Sequence, residues 1–157
     1  MNKFEIVPAG RVYANQMAPN LRRSDILEIY ASSGMEPLDA LLQSIEASDD
    51  DMCWCATLNG LPVAMFGANP LVEEDSVGGI WLLATPGIYY SVKDFMRRCE
   101  EYLAIMHTRY EYLTNFVDAR NMPTLRWLPR LGFKPCQQVN DYGVTKVPFI
   151  QYASKRK

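Results

Sequence analysis

The sequence predicts one mixed α/β domain, on three observations. Stretches with helical apolar spacing alternate with short strand-like apolar runs along the chain. Asn59-Gly60-Leu61 sits between the apolar runs "MCWCATL" and "PVAMFGA", which marks a hairpin. The run "GIWLLAT", a long amphipathic segment and then "YLTNFVD" read as strand, helix, strand over 79–118. Such a unit pairs its two strands in parallel with a right-handed crossover.

The elements follow in order. "FEIVPA" is an opening strand, and a polar helical stretch from Arg11 to Met17 is stopped by Pro19. In "RRSDILEIYASSG", Ser24 is the expected cap, Ile26, Leu27, Ile29 and Tyr30 form an apolar side, and Gly34 ends the helix. Pro37 opens the next helix, where a missing N–H costs little, and Leu38, Leu41, Leu42 and Ile45 line one face. Asp49-Asp50-Asp51 turns the chain into the hairpin, and "NPLVEEDSVGG" reads as a loop. "GIWLLAT" is apolar enough for an inner strand covered on both faces, broken by Pro86-Gly87. Ser91 is the expected cap of the clearest helix, with Val92, Phe95, Met96, Cys99, Tyr102, Leu103 and Met106 at helical spacing. After "YLTNFVD" comes "VDARNMPTLRWLPRLGF", a turn and a helix closing on Gly132. Pro129 removes the bond to the Leu125 carbonyl, so a kink is expected. Strands over 134–140 and 144–152 complete a domain of 1–157, with a basic tail at 153–157.

Composition narrows the function. A length of 157 residues with 48% hydrophobic residues gives one domain with a sizeable core. The net charge of −2 lacks the basic excess of a general nucleic-acid binder. Arg22-Arg23 and Arg97-Arg98 read as solvated charge. No apolar run is long enough to span a bilayer, and "MNKFEIVPAG" lacks the apolar segment of a signal peptide, so a reducing cytoplasm is expected. Cys53, Cys55, Cys99 and Cys136 have no disulfide-framework spacing. Cys53-Trp-Cys55 resembles a metal pair, but His107 is the sole histidine, and buried apolar thiols with no metal are the expectation.

The order of elements resembles the GNAT fold, that of the Gcn5-related N-acetyltransferases. The likeness is strongest over 79–133. The family's helix pattern N-x-x-A-x-x-x-Y-x-x-x-G-F falls on Asn121, Thr124, Leu128, Gly132 and Phe133. The resemblance implies a mixed, mostly antiparallel central sheet around the parallel unit, with helices on both faces. It also implies acetyl-coenzyme A as donor, the backbone of Leu82, Leu83, Ala84 and Thr85 along the pantetheine arm, and Gly87, Ser91 and Asn121 near the cofactor. Three departures stand out. Leu128 occupies the position of the tyrosine that often protonates the leaving thiolate, and it has no proton to give. The loop "ATPGIYYSVKD" has one glycine, Gly87, where a Gly-x-Gly phosphate cradle is the pattern. No carboxylate lies in "GIWLLAT"; Glu73, Glu74 and Asp75 precede it, Asp118 is the best-placed candidate base, and Cys136 and Tyr142 stand in reserve.

The chain also resembles, more narrowly, the internal virion proteins of podovirus-type phages, through "APNLRRSDILEIYASSG", "PLDALLQSIEAS", "VAMFGA", "WLLAT" and "FVDARNMPTLRWLPRLGF". That likeness implies a GNAT-fold phage protein with a degenerate site, found in the host bacterial cytoplasm during infection or in the virion. Its partners would be virion or assembly proteins, with exposed Trp81, Tyr89 and Tyr90 as a partner surface. The alternatives are an acetyl-CoA-dependent N-acyltransferase acting on an amine, and a CoA-binding protein without turnover.

Overall fold

The computed structural model describes residues 2–71 and 74–157. In chain order the elements are β1 (Phe4–Pro8), α1 (Arg11–Met17), α2 (Arg23–Ser33), α3 (Pro37–Ala47), β2 (Cys53–Leu58), β3 (Leu61–Leu71), β4 (Glu74–Ala84), α4 (Val92–Arg109), β5 (Tyr112–Asp118), α5 (Met122–Arg130), β6 (Lys134–Tyr142) and β7 (Val147–Lys155). Among the described residues, seven strands form one sheet in the order β1-β2-β3-β4-β5-β7-β6. Every neighbouring pair is antiparallel except β4 and β5, the parallel pair. Helices cover both faces. Phe95, Cys99 and Met106 of α4 and Trp127 and Leu128 of α5 pack with Phe66, Leu113 and Val117. Ala14, Met17, Ile29 and Leu41 of α1–α3 pack with Cys55, Met65 and Leu83 on the other side.

Local chemistry explains most boundaries. Asn59 and Gly60 both take positive φ, 53° and 82°, the pair a two-residue hairpin turn needs, so Leu58 faces Leu61. Gly34 ends α2 in the left-handed region at φ 72°. Pro129 lies inside α5, one residue from its end, and Gly132 follows at φ 89°.

Several expectations are corrected. The stretch read as a loop at 69–79 is largely strand, with Asn69 opposite Gly79 and Pro70 opposite Gly78. Cross-strand pairing overrides its polar composition; Glu73 itself lies outside the described residues. Ser24 is inside α2 rather than at its cap, which is Arg22. Ile26, Leu27 and Tyr30 are exposed, because α2 turns Asp25, Ile29 and Ala31 inward. Ser91 is the N-cap residue of α4, as expected, and its carbonyl accepts from the Phe95 N–H at 2.9 Å, but its hydroxyl donates to the Ile88 carbonyl at 3.4 Å rather than accepting from the helix. Val144 lies in a turn, and β7 runs on to Lys155, opposite Tyr112, so the first three residues of the stretch read as a tail are paired strand.

β4 and β5 pair over only three registers, from Val77↔Tyr112 to Gly79↔Thr114. Beyond Gly79 the two strands part, leaving a gap between 80–84 and 115–118 that α2 reaches from one side and α5 from the other. Among the described residues no helix is long and apolar enough to cross a membrane.

Candidate functional site

The gap is where backbone groups come free. The Thr85 N–H bonds to the Val63 carbonyl, which makes that position a bonded pair of the β3–β4 ladder. Antiparallel alternation then turns the N–H and C=O of Leu82 and Ala84 away from β3, into the gap. Those of Ala84 are taken. Its carbonyl accepts from the Arg22 N–H at 2.8 Å, and its N–H donates to the Asp25 carboxylate at 3.0 Å. The Arg22 guanidinium makes a two-point pair with Asp25, at 2.8 and 2.9 Å, and stacks 5.1 Å from the Trp127 ring centre. Arg22, read from the sequence as solvated charge, is 2% exposed. The reason is this pairing: a guanidinium enters the interior when a carboxylate meets its fork.

Glu28 lies one turn further along α2. Its Oε1 accepts from the Asp118 N–H at 2.7 Å and from Asn121 Nδ2 at 3.3 Å, so it fills the β5 side of the gap. Burial pushes its carboxyl up most; the Asp118 N–H bond pulls it down, Asp25 raises it further, and the result is about 7. Its carboxyl opens on two cavities. One, of about 290 Å³, is lined by Asn69, Asn115, Phe116 and Tyr142. The other, of about 260 Å³, is lined by Ser32, Gln43, Trp81, Leu82 and Thr124. No motif marked Glu28 in the sequence. The available signal was its spacing: Asp25, Glu28, Ile29 and Ser32 share one side of a helix whose other side carries exposed Ile26, Leu27 and Tyr30.

The sequence-derived candidates divide into two groups. Leu82 and Asn121 meet at the gap, the Asn121 Oδ1 also accepting from the Thr124 N–H to cap α5. Asp118 is there too, but its carboxylate is engaged by Arg120 at 2.7 and 3.0 Å. Burial raises that carboxyl, yet the Arg120 bonds and charge outweigh it and hold it below its ordinary range. Ala84 reaches the gap with both backbone groups occupied. Leu83 points its side chain into the α1–α3 core. The Thr85 hydroxyl accepts from the Gly87 N–H at 3.2 Å, and a Cβ at Gly87 would meet Val63 at 2.8 Å, so this loop is folded tightly on β3. Ser91 is buried behind it.

The reserve candidates separate likewise. Tyr142 lines the larger cavity, stacked between Phe116 at 5.2 Å and Phe149 at 4.3 Å. Burial raises its phenol and the Glu28 charge adds to this. Cys136 is exposed on β6. Burial holds the Cys55 and Cys99 thiols up at about 12, and among the described residues no three metal-ligating side chains cluster. Tyr89 and Tyr90 are 49% and 81% exposed, whereas Trp81 is half-buried and donates to the Ser48 hydroxyl at 2.8 Å.

The gap therefore offers a strand N–H at Leu82 that no group among the described residues takes, a carboxyl that titrates near neutrality, and space beside both. No protein-family model matches the chain, and no curated protein matches it in sequence. Solved structures do share its architecture. Ard1 from Thermoplasma volcanium aligns over 98% of both chains with a TM-score of 0.76 and 11% identity. A ribosomal-protein-alanine N-acetyltransferase from Brucella melitensis aligns over 97% of this chain and 99% of its own, with a TM-score of 0.69 and 13% identity. A proposed acetyltransferase from Salmonella typhimurium, with its cofactor acetyl-CoA, aligns over 97% and 93%, with a TM-score of 0.68 and 14% identity. At such identities the likeness is one of fold, and the fold is the GNAT fold.

Proposed function

We propose that the protein is an acyl-CoA-dependent N-acyltransferase with Glu28 as its base. The observation that carries the proposal is a carboxyl titrating at about 7 beside the unpaired Leu82 strand edge, at the mouth of two cavities. The donor thioester lies in the gap, its carbonyl oxygen on the Leu82 N–H, which stabilises the charge that grows there during attack. The amine enters from the Phe116 and Tyr142 side. Glu28 takes the first proton from its ammonium, and the nitrogen attacks the thioester carbon. The C–S bond breaks and the nitrogen's second proton reaches the sulfur through solvent, since Leu128 has none to give. Holding amine and thioester together supplies much of the acceleration. For the donor's arm to run the length of β4, it must take over the two Ala84 bonds now held by Arg22 and Asp25.

Acetyl transfer from acetyl-CoA to a panel of primary amines is the test. Activity should rise through pH about 7 as Glu28 ionises and be lost in Glu28→Gln. Acetyl-CoA at a hundredfold excess over its dissociation constant should add about 2.7 kcal/mol of stability. No stabilisation by any millimolar acyl-CoA, from acetyl to decanoyl, would sink this reading.

One observation favours a second reading. Ala84 is closed by the protein's own Arg22 and Asp25, and the loop after β4 offers no open cradle. On that reading the chain is a degenerate GNAT-fold component of a podovirus-type virion or its assembly, in the host bacterial cytoplasm or the particle, with virion proteins as partners. It rests on the sequence resemblance and is tested by looking for the chain in purified particles. A CoA-binding protein without turnover is the intermediate case, recognised by stabilisation without acyl transfer.

A further inference from the structure

The gap between β4 and β5 also opens on the opposite face of the sheet, into an apolar cavity of about 70 Å³ beneath α4 and α5. Trp81, Leu82, Asn115 and Thr124 line both this cavity and the smaller of the two that Glu28 faces, so the two spaces adjoin across a neck formed by these four residues. Past that neck the wall is apolar: Phe95, Cys99, Met106, Leu128, Leu131 and Phe133. Water there finds too few partners, so the space stays dry.

We infer that this cavity takes the tail of the donor's acyl group, and that the preferred donor carries a short saturated acyl chain longer than acetyl. The inference rests on the acyltransferase reading. A carbonyl held at Leu82 has the polar mouth with Glu28 on one side and the apolar neck on the other, so the tail has one apolar direction to go. The size sets its length. An apolar cavity of about 150 Å³ holds benzene, so about half that volume holds roughly three carbon atoms. Leu128 adds no further hydroxyl to a wall that already carries those of Thr124 and of Tyr102, the latter bonded by Arg98.

The test is the binding of acetyl-, propionyl-, butyryl-, hexanoyl- and decanoyl-CoA by calorimetry, followed by transfer to whichever amine is accepted. Affinity should rise about fourfold per added carbon, the equivalent of about 0.8 kcal/mol per buried CH₂, and peak at butyryl before falling. Cys99→Leu, which fills the cavity from α4, should return the preference to acetyl. A flat chain-length profile, or one that climbs through decanoyl, overturns the pocket and leaves the acyltransferase reading intact. No binding of any acyl-CoA overturns both. The wild-type profile decides the matter even if Cys99→Leu does not fold.

Discussion

Replacing Glu28 with glutamine separates what this residue does for chemistry from what it does to stability. Glutamine keeps the Oε1 acceptor that Asp118 and Asn121 use, and it removes the charge. The folded-state carboxyl has risen from its ordinary 4.5 to about 7. A raised carboxyl means that the folded chain holds a proton the unfolded chain has released. Below about pH 4.5 both states carry the proton, and Glu28 imposes no penalty. As pH climbs towards 7, only the unfolded chain ionises freely, and stability drains away. Above about pH 7 the loss is complete, and at 1.36 kcal/mol per pH unit it amounts to about 3 kcal/mol. Against a typical total of about 5–15 kcal/mol that is a large fraction. Glu28→Gln should therefore match the wild type in urea unfolding at pH 4.5 and exceed it by about 3 kcal/mol at pH 8.5, or roughly 6–12 °C in Tm. A variant whose advantage does not grow with pH would refute the placement of Glu28 in a poorly solvated gap.

Other outcomes follow from the same geometry. Asp25→Ala leaves a buried guanidinium unpaired and orphans the Ala84 N–H, so it should cost about 3–5 kcal/mol in chemical denaturation. The double variant Arg22→Met/Asp25→Leu should recover most of that loss, and it should bind acetyl-CoA more tightly than the wild type in calorimetry because Ala84 is no longer held by a carboxylate. Asn121→Ala should lose about 1 kcal/mol through the α5 cap, whereas Asn121→Ser should keep most of it by melting. Leu128→Tyr places a hydroxyl into an apolar cavity among Phe95, Phe133 and Met106, and it should cost about 1–3 kcal/mol without restoring acid chemistry; a gain in the rate of acyl transfer would show the hydroxyl reaching the sulfur instead.

The sheet was legible because it follows periodicity and turn chemistry. Asn59-Gly60 set the hairpin, Gly34 and Gly132 ended helices, and the 79–118 unit gave the parallel pair. The gap was legible only through the family pattern around Asn121. What escaped was the orientation of α2. Ile26, Leu27 and Tyr30 suggested an inward face, yet the helix is turned by a contact between Asp25 and Ala84, 59 residues apart. No local rule foresees that a carboxylate will be better placed against a strand edge than three apolar side chains against a core. With α2 misread, Arg22 looked solvated, and Glu28 was not seen as part of a site. The polar 69–79 stretch was missed for a related reason: its strand character comes from the partner strand, not from its own composition.

The divergence of β4 and β5 gives this sheet two interior edges in addition to its outer ones. An uncovered strand edge invites another chain to add itself, the route to swapping and fibrous aggregation. Here each interior edge ends on a carboxylate, Asp25 at Ala84 and Glu28 at Asp118. Two acidic side chains delivered by one helix thus act as guards against invasion by foreign backbone while leaving the Leu82 edge open between them. The helix that carries Glu28 also covers, at Ala84 and Asp118, backbone groups that another strand would otherwise pair with.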